Sequence, residues 1–328
     1  MSSHLAIWII AALAVAGVII RPFNSVEALW AVGGAVLLVA LRLITPTTAL
    51  AGIAKGTDVY LFLTGMMLLA EVARSEGLFD WLAARATRHA GGSPRRLFLL
   101  IYLVGTVVTI FLSNDATAVV LTPAVAAAVR TAKAEQPLPY LLICAFIANA
   151  ASFVLPISNP ANLVIYGSHM PPLLQWLPRY LLPSVVSIAV TYVLLRWTQR
   201  QALHQRIAAD VPVPALPFGG RIAAAGIAVT ALVLLSASAM DMQLGLPTCV
   251  AGVATAVIVL AFQPRKAWVI VKDVSWGVLP LVAGLFVLVE ALNETGLVAI
   301  IGSLMRETAA HSAAGAARTD GAQVLAAA

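Results

Sequence analysis

Long apolar runs follow one another along this chain, from residues 5–20 through 276–292, with only short polar intervals between them. A bilayer-spanning helix needs roughly 20 mainly apolar residues, and lipid tolerates a spanning backbone only as helices or as a closed barrel. Runs of this length read as helices. Composition agrees, since 61% of the 328 residues are hydrophobic, 10% are charged and the mean hydropathy is +0.95, outside the usual range of soluble globular chains. The expected fold is an all-α integral membrane protein, a polytopic helical bundle over residues 1–305. It is expected as a multi-pass protein of the cell (cytoplasmic or inner) membrane, not an enzyme. The first run, LAIWIIAALAVAGVII, has the length of a signal peptide, but no basic residue precedes it and a second run follows at once. It is read as a retained span.

The formal charge of +6 would suggest nucleic acid in a soluble protein. Here the basic residues sit in short loops, where the positive-inside rule accounts for them, so no nucleic-acid partner is expected and the charged ends meet membrane lipid. Placing Arg196, Arg200, Arg206 and Arg221, and Arg265, Lys266 and Lys272, on the cytoplasmic side gives spans near 5–20, 26–44, 58–73, 138–168, 173–195, 222–240, 245–263 and 276–292. Arg42 and Lys55 then fall outside, against the rule. Cys144 and Cys249 lie far apart in apolar runs, with no CxxC and no neighbouring histidine. They read as small buried hydrophobes, and neither a metal site nor a cofactor is expected.

Two stretches depart from simple spanning. Residues 111–123 read FLSNDATAVVLTP, with short apolar arms on either side and Arg95, Arg96, Arg130 and Lys133 at their outer ends. A re-entrant hairpin that enters and leaves on the cytoplasmic side, with residues 113–117 at its tip, satisfies both facts. Polar backbone at membrane depth is tolerated where protein buries it or where it lines a watery cavity, and an intramembrane aspartate marks an ion or solute path. The alternative is an ordinary loop at the membrane surface between two thin spans. Residues 78–90, LFDWLAARATRHA, suit a helix lying in the interface. The second stretch, NAASFVLPISNPANLVIYG at 149–167, carries Pro156 and Pro160, each lacking an amide donor and disfavouring helix before it. A discontinuous helix is expected there, and such helices build midplane sites in secondary transporters. The other reading is a kink whose Asn and Ser groups satisfy freed carbonyls.

An internal repeat adds to this. GMMLLAEVARSEGL (65–78) and GLFVLVEALNETGL (284–297) share Gly-x5-Glu-x5-Gly-Leu, matching Glu71 with Glu290 and Gly77 with Gly296. The assigned topology runs the copies in opposite directions, an inverted repeat. Residues 58–195 are expected as the first repeat and 273–305 as the start of a second. The same offset would put a second tip beyond Ala328, so the second repeat is expected to be incomplete, as in a truncated reading frame or a half-carrier that pairs with another chain, a homodimer included. Residues 306–328, alanine-rich, are expected as a disordered tail.

Asn114-Asp115 followed by Ala118 and Leu121-Thr122-Pro123, then Phe146-Ile147-Ala148, Ala151-Ser152, and Ser158-Asn159 followed by Asn162 resemble the arsenite/antimonite efflux permease (ArsB-type) family, within the ion transporter superfamily that includes dicarboxylate and citrate carriers. The resemblance covers residues 58–305. It implies a carrier exporting trivalent arsenic or antimony in exchange for protons, alone or driven by a peripheral ATPase subunit. The family's second hairpin and second broken helix are missing here.

On this reading the solute sits between tip and break, where Ser113, Asn114, Thr117, Ser158, Asn159 and Asn162 present hydroxyl and amide groups. These suit a neutral polyhydroxyl solute such as arsenous acid. Asp115 is the ionisable group at the tip and the candidate for proton coupling; it also suits a cap on the second arm. Asn149 is read as support behind the site, and Glu71 and Glu290 as anchors near span ends. The leading alternative is a sodium- or proton-coupled dicarboxylate or citrate-type anion carrier, whose field would have to come from half-helix N-termini, with no Arg or Lys near either break. The other is a non-transporting remnant or partner subunit.

Overall fold

Helices form from the apolar runs because a backbone in hydrocarbon has to satisfy its own amides and carbonyls. The computed structural model describes residues 3–166, 170–297 and 300. Residues 306–328 and most of 298–305 lie outside the described residues. Among those described there is no strand, and six helices are long and apolar enough to cross a membrane. The protein is a polytopic helical membrane protein. It divides into two compact units, Met1–Gly56 with Trp276–Ala328, and Thr57–Ser275.

In the first unit, α1 (Ser3–Ile20), α2 (Glu27–Ala40), α3 (Pro46–Lys55) and α14 (Val278–Glu294) share a core of Ile7, Leu38, Val287 and Leu288 with small alanines between them. Polar pairs fasten the C-terminal end of α14. Lys55 Nζ meets Glu290 Oε2 at 2.6 Å, Thr48 Oγ1 donates to Glu294 Oε1 at 3.0 Å, and Trp8 Nε1 donates to Thr295 Oγ1 at 2.9 Å. Glu290 is thus an anchor, as expected.

The second unit holds α4 (Thr57–Ser75), α5 (Leu78–Ala90), α6 (Pro94–Phe111), α7 (Thr122–Thr131), α8 (Leu138–Ala150), α9 (Pro160–Tyr166), α10 (Leu173–Thr198), α11 (Phe218–Ala239), α12 (Gly245–Phe262) and α13 (Ala267–Asp273). α4 and α12 run parallel. At one end Gly245 N donates to Asp58 Oδ1 at 2.8 Å; at the other Gln263 Nε2 donates to Glu76 Oε2 at 3.1 Å. Between them Gly65 and Gly252 let backbone meet backbone: a Cβ on Gly65 would stand 2.2 Å from the Thr248 carbonyl oxygen. Small residues at such crossings permit the close approach that drives helix pairing in lipid. Glu71 is buried and held by both the Nε and Nη2 of Arg74, which also reaches Asp273 Oδ2 at 2.8 Å. Like Glu290, it is an anchor.

Each repeat helix ends on a left-handed glycine, Gly77 at φ 73° and Gly296 at φ 76°, a conformation that costs glycine nothing. Leu78 opens a new helix after the first, and Leu297 is helical after the second. α5 differs from expectation. It packs antiparallel to α6 and also against α7, burying Leu78, Phe79, Ala83 and Ala90 while Arg85, Arg88 and His89 stay exposed. The apolar side of α5 is covered by helices.

Candidate functional site

The chain reverses direction after α6. Thr109 Oγ1 lies 2.8 Å from Thr117 Oγ1, eight residues on, a separation of about 12 Å in an uninterrupted helix. Both roots of the reversal meet one segment. At the α6 root Arg95 Nη2 donates to His204 Nε2 at 2.8 Å; beyond α7, Ala208 N donates to Ala132 O at 2.8 Å and Gln136 N to Gln205 Oε1 at 2.8 Å. The arms therefore leave from and return to the same end of the unit as a helical hairpin. α5 and α8 each pack against both arms.

Ser113 opens the second arm. Its Oγ accepts the Ala116 amide at 3.3 Å and its carbonyl accepts Thr117 N at 3.3 Å, so Ser113, and not Asp115, supplies the cap. Ala116–Leu121 then form a π-helical stretch. Pro123 has no amide to donate to the preceding turn, and π-turns of this sort are frequent at functional sites. Asn114 is half-buried, with Oδ1 accepting Asp115 N at 3.0 Å. The Asp115 side chain is exposed, with no hydrogen bond or ion pair among the described residues. Thr117 is fully buried on Thr109.

The second helix stops at Ala150 and resumes at Pro160, with a 3-10 turn at Pro156–Ser158 between. Its loose carbonyls are met from three directions. Asn162 Nδ2 donates to Ser152 O at 3.3 Å and Pro156 O at 3.2 Å; Ser152 Oγ donates to Ala148 O at 2.9 Å; Trp176 Nε1 donates to Phe153 O at 3.0 Å. Ser158 joins break to hairpin, since its Oγ donates to Ile110 O at 2.9 Å and accepts Leu155 N at 3.2 Å. Asn159 Oδ1 accepts Ala161 N at 2.9 Å at the start of α9. Asn162 is wholly buried and its Oδ1 has no partner among the described residues. Asn149 is exposed and donates to Ala145 O at 3.3 Å.

Tip and break are thus adjacent, as expected, but their side chains divide. Thr117 faces inward and joins the two hairpin arms through Thr109, Ser158 faces inward and joins break to hairpin, and Ser113 caps the second arm. Asn114, Asp115, Asn149 and Asn159 remain reachable. The sequence reading missed Thr109 and Trp176, each an isolated polar handle within an apolar run, and the ring cluster of Phe153, Tyr166, Trp176 and Tyr180, in which Trp176 and Tyr180 stack at 4.1 Å. It also missed Arg179 of α10, whose charge is felt by the Tyr166 hydroxyl at the end of α9. No group of three metal-ligating side chains occurs among the described residues.

The profile of the CitMHS family, described as citrate transporter, matches residues 6–326. An uncharacterized transporter of Synechocystis is 22% identical over 278 residues, 83% of this chain and 62% of its own length. An uncharacterized transporter of Mycobacterium tuberculosis is 28% identical over 260 residues, 74% of this chain and 57% of its own. The arsenical pump membrane protein of Yersinia enterocolitica is 25% identical over 241 residues, 71% of this chain and 56% of its own. The chain therefore spans somewhat more than half the length of these relatives.

Proposed function

This chain belongs to the citrate transporter family, and from that premise we propose that it carries a small solute past the joined tip and break, with arsenite or antimonite exported in exchange for protons. The observation that supports this reading is the Ser158 Oγ to Ile110 carbonyl bond, which holds two interrupted helices side by side as midplane transport sites require. Asn114 and Asn159 offer amide groups to the solute, and Asn162 Oδ1, which nothing in the described chain satisfies, accepts a hydroxyl. Ser113, Thr117 and Ser158 fix the positions of these groups. Asp115 takes and releases the coupled proton, and Asn149 stands behind the site. A surface of amides and one carboxyl suits a neutral polyhydroxyl solute that both donates and accepts hydrogen bonds. The arsenical pump relative favours the same solute.

A second reading, a citrate or dicarboxylate-type anion carried with sodium or protons, is favoured by the family description. Everted membrane vesicles containing this chain and energised with an acid interior separate the two. Accumulation of arsenite and not of citrate is expected. Citrate accumulation in right-side-out vesicles with an acid or sodium-rich exterior supports the second reading, and accumulation of neither solute in its own assay overturns both. A homodimer and a peripheral ATPase subunit remain proposals that the same vesicles test, by cross-linking and by ATP dependence.

A further inference from the structure

Three arginines converge at the root of the hairpin, about 24 Å along α6 from the tip by helix rise. A cavity of about 430 Å³ there is lined by Arg95 of α6, by Tyr192, Arg196 and Trp197 of α10, and by Arg200 and Leu203 just beyond it. Guanidinium groups this close repel one another unless something negative stands between them. Among the described residues no carboxylate pairs with any of the three. Their contacts are neutral: Arg95 with His204, Arg196 with the Tyr192 hydroxyl at 3.3 Å and with its ring, and Arg200 with the Trp197 ring at 5.8 Å. The positive charge is left for a ligand.

We propose that this cavity binds the headgroup phosphate of one anionic phospholipid. Two features select a lipid over a soluble anion. Trp197 is 62% exposed and sits at the rim, as aromatic residues do at the membrane boundary. From it an apolar track of exposed Leu194, Val193, Val190 and Val186 continues along α10, where an acyl chain lies beneath a phosphate held by Arg95, Arg196 and Arg200. Basic pockets between membrane helices on the cytoplasmic side recognise such headgroups, and the positive-inside rule puts this end of the unit there. The lipid bridges α6 to α10, two elements also tied by the Tyr102 hydroxyl donating to Ile188 O at 2.6 Å and by the Tyr192 ring against Phe98 and Tyr102. It therefore steadies the root from which the hairpin enters.

The test is native mass spectrometry of the purified 328-residue chain in mild detergent, titrated with phosphatidylglycerol or with phosphatidylethanolamine of the same acyl chains. The chain is expected to retain phosphatidylglycerol preferentially. Each of Arg95→Gln, Arg196→Gln and Arg200→Gln is expected to cut that preference about fivefold, while Arg196→Lys, keeping the charge, preserves most of it. Arg85→Gln with Arg88→Gln, which removes exposed charge elsewhere, is expected to leave it unchanged. Equal retention of both lipids, or an equal loss in the Arg85/Arg88 variant, overturns the proposal. So does full displacement of phosphatidylglycerol by soluble glycerol phosphate at the same concentration, which would mark a site for free anions.

Discussion

Asn162 holds two buried carbonyls with one amide. Replacing it with Leu removes both partners at once. Each stranded acceptor costs about 1–3 kcal/mol, so Asn162→Leu is expected to lower stability by roughly 2–5 kcal/mol, read as a drop in the midpoint of thermal unfolding in detergent. Asn149→Leu, on an exposed side chain, is expected to stay within about 0.5 kcal/mol. Trp176→Phe keeps a ring in place but loses the bond to Phe153 O; a cost of about 1–2 kcal/mol is expected in the same melt. The residues of the break were legible in the sequence because Pro156 and Pro160 leave carbonyls that Asn and Ser types answer. Their directions were not. A hydroxyl or amide in a sequence states a capacity to bond, not the partner, and Trp176 arrives from a different run of the chain.

At the scale of elements, the parallel pair α4 and α12 depends on absent side chains. A Cβ on Gly252 would stand 2.3 Å from the Gly65 carbonyl oxygen, and one on Gly65 would collide with Thr248. Gly65→Leu is expected to force the helices apart and cost about 1–3 kcal/mol, measured as loss of folded protein on size exclusion and a lower unfolding midpoint. Gly33→Leu, where a Cβ meets nothing within 4 Å, is the matched control and is expected to be near neutral. Long spans were read well: residues expected at 58–73, 222–240 and 245–263 form Thr57–Ser75, Phe218–Ala239 and Gly245–Phe262. A sustained apolar run carries its own boundaries. Short elements were not read: α3 and α13 had no counterpart in the expected spans, and α5 showed an amphipathic face without showing what buries it. The π-helical stretch before Pro123 likewise had no signal beyond the proline.

For the molecule as a whole, α4 and α12 run parallel, the relative direction expected from the basic loops. The hairpin returns to the end from which it enters. The two Gly-x5-Glu-x5-Gly-Leu segments share a helix ending in a left-handed glycine, a local likeness that their common spacing anticipated. What holds the account together is the claim that Asp115, exposed and unpaired at the hairpin tip, couples solute movement to protons. Because its side chain makes no hydrogen bond or ion pair among the described residues, Asp115→Asn is expected to alter stability by no more than about 0.5 kcal/mol, so a loss of transport would not be a loss of fold. The most direct measurement is arsenite accumulation in everted vesicles under an imposed proton gradient, comparing the chain with Asp115→Asn at matched expression. Accumulation by the first that is abolished in the second is the expected result; accumulation by Asp115→Asn at the same gradient-dependent rate would contradict the account.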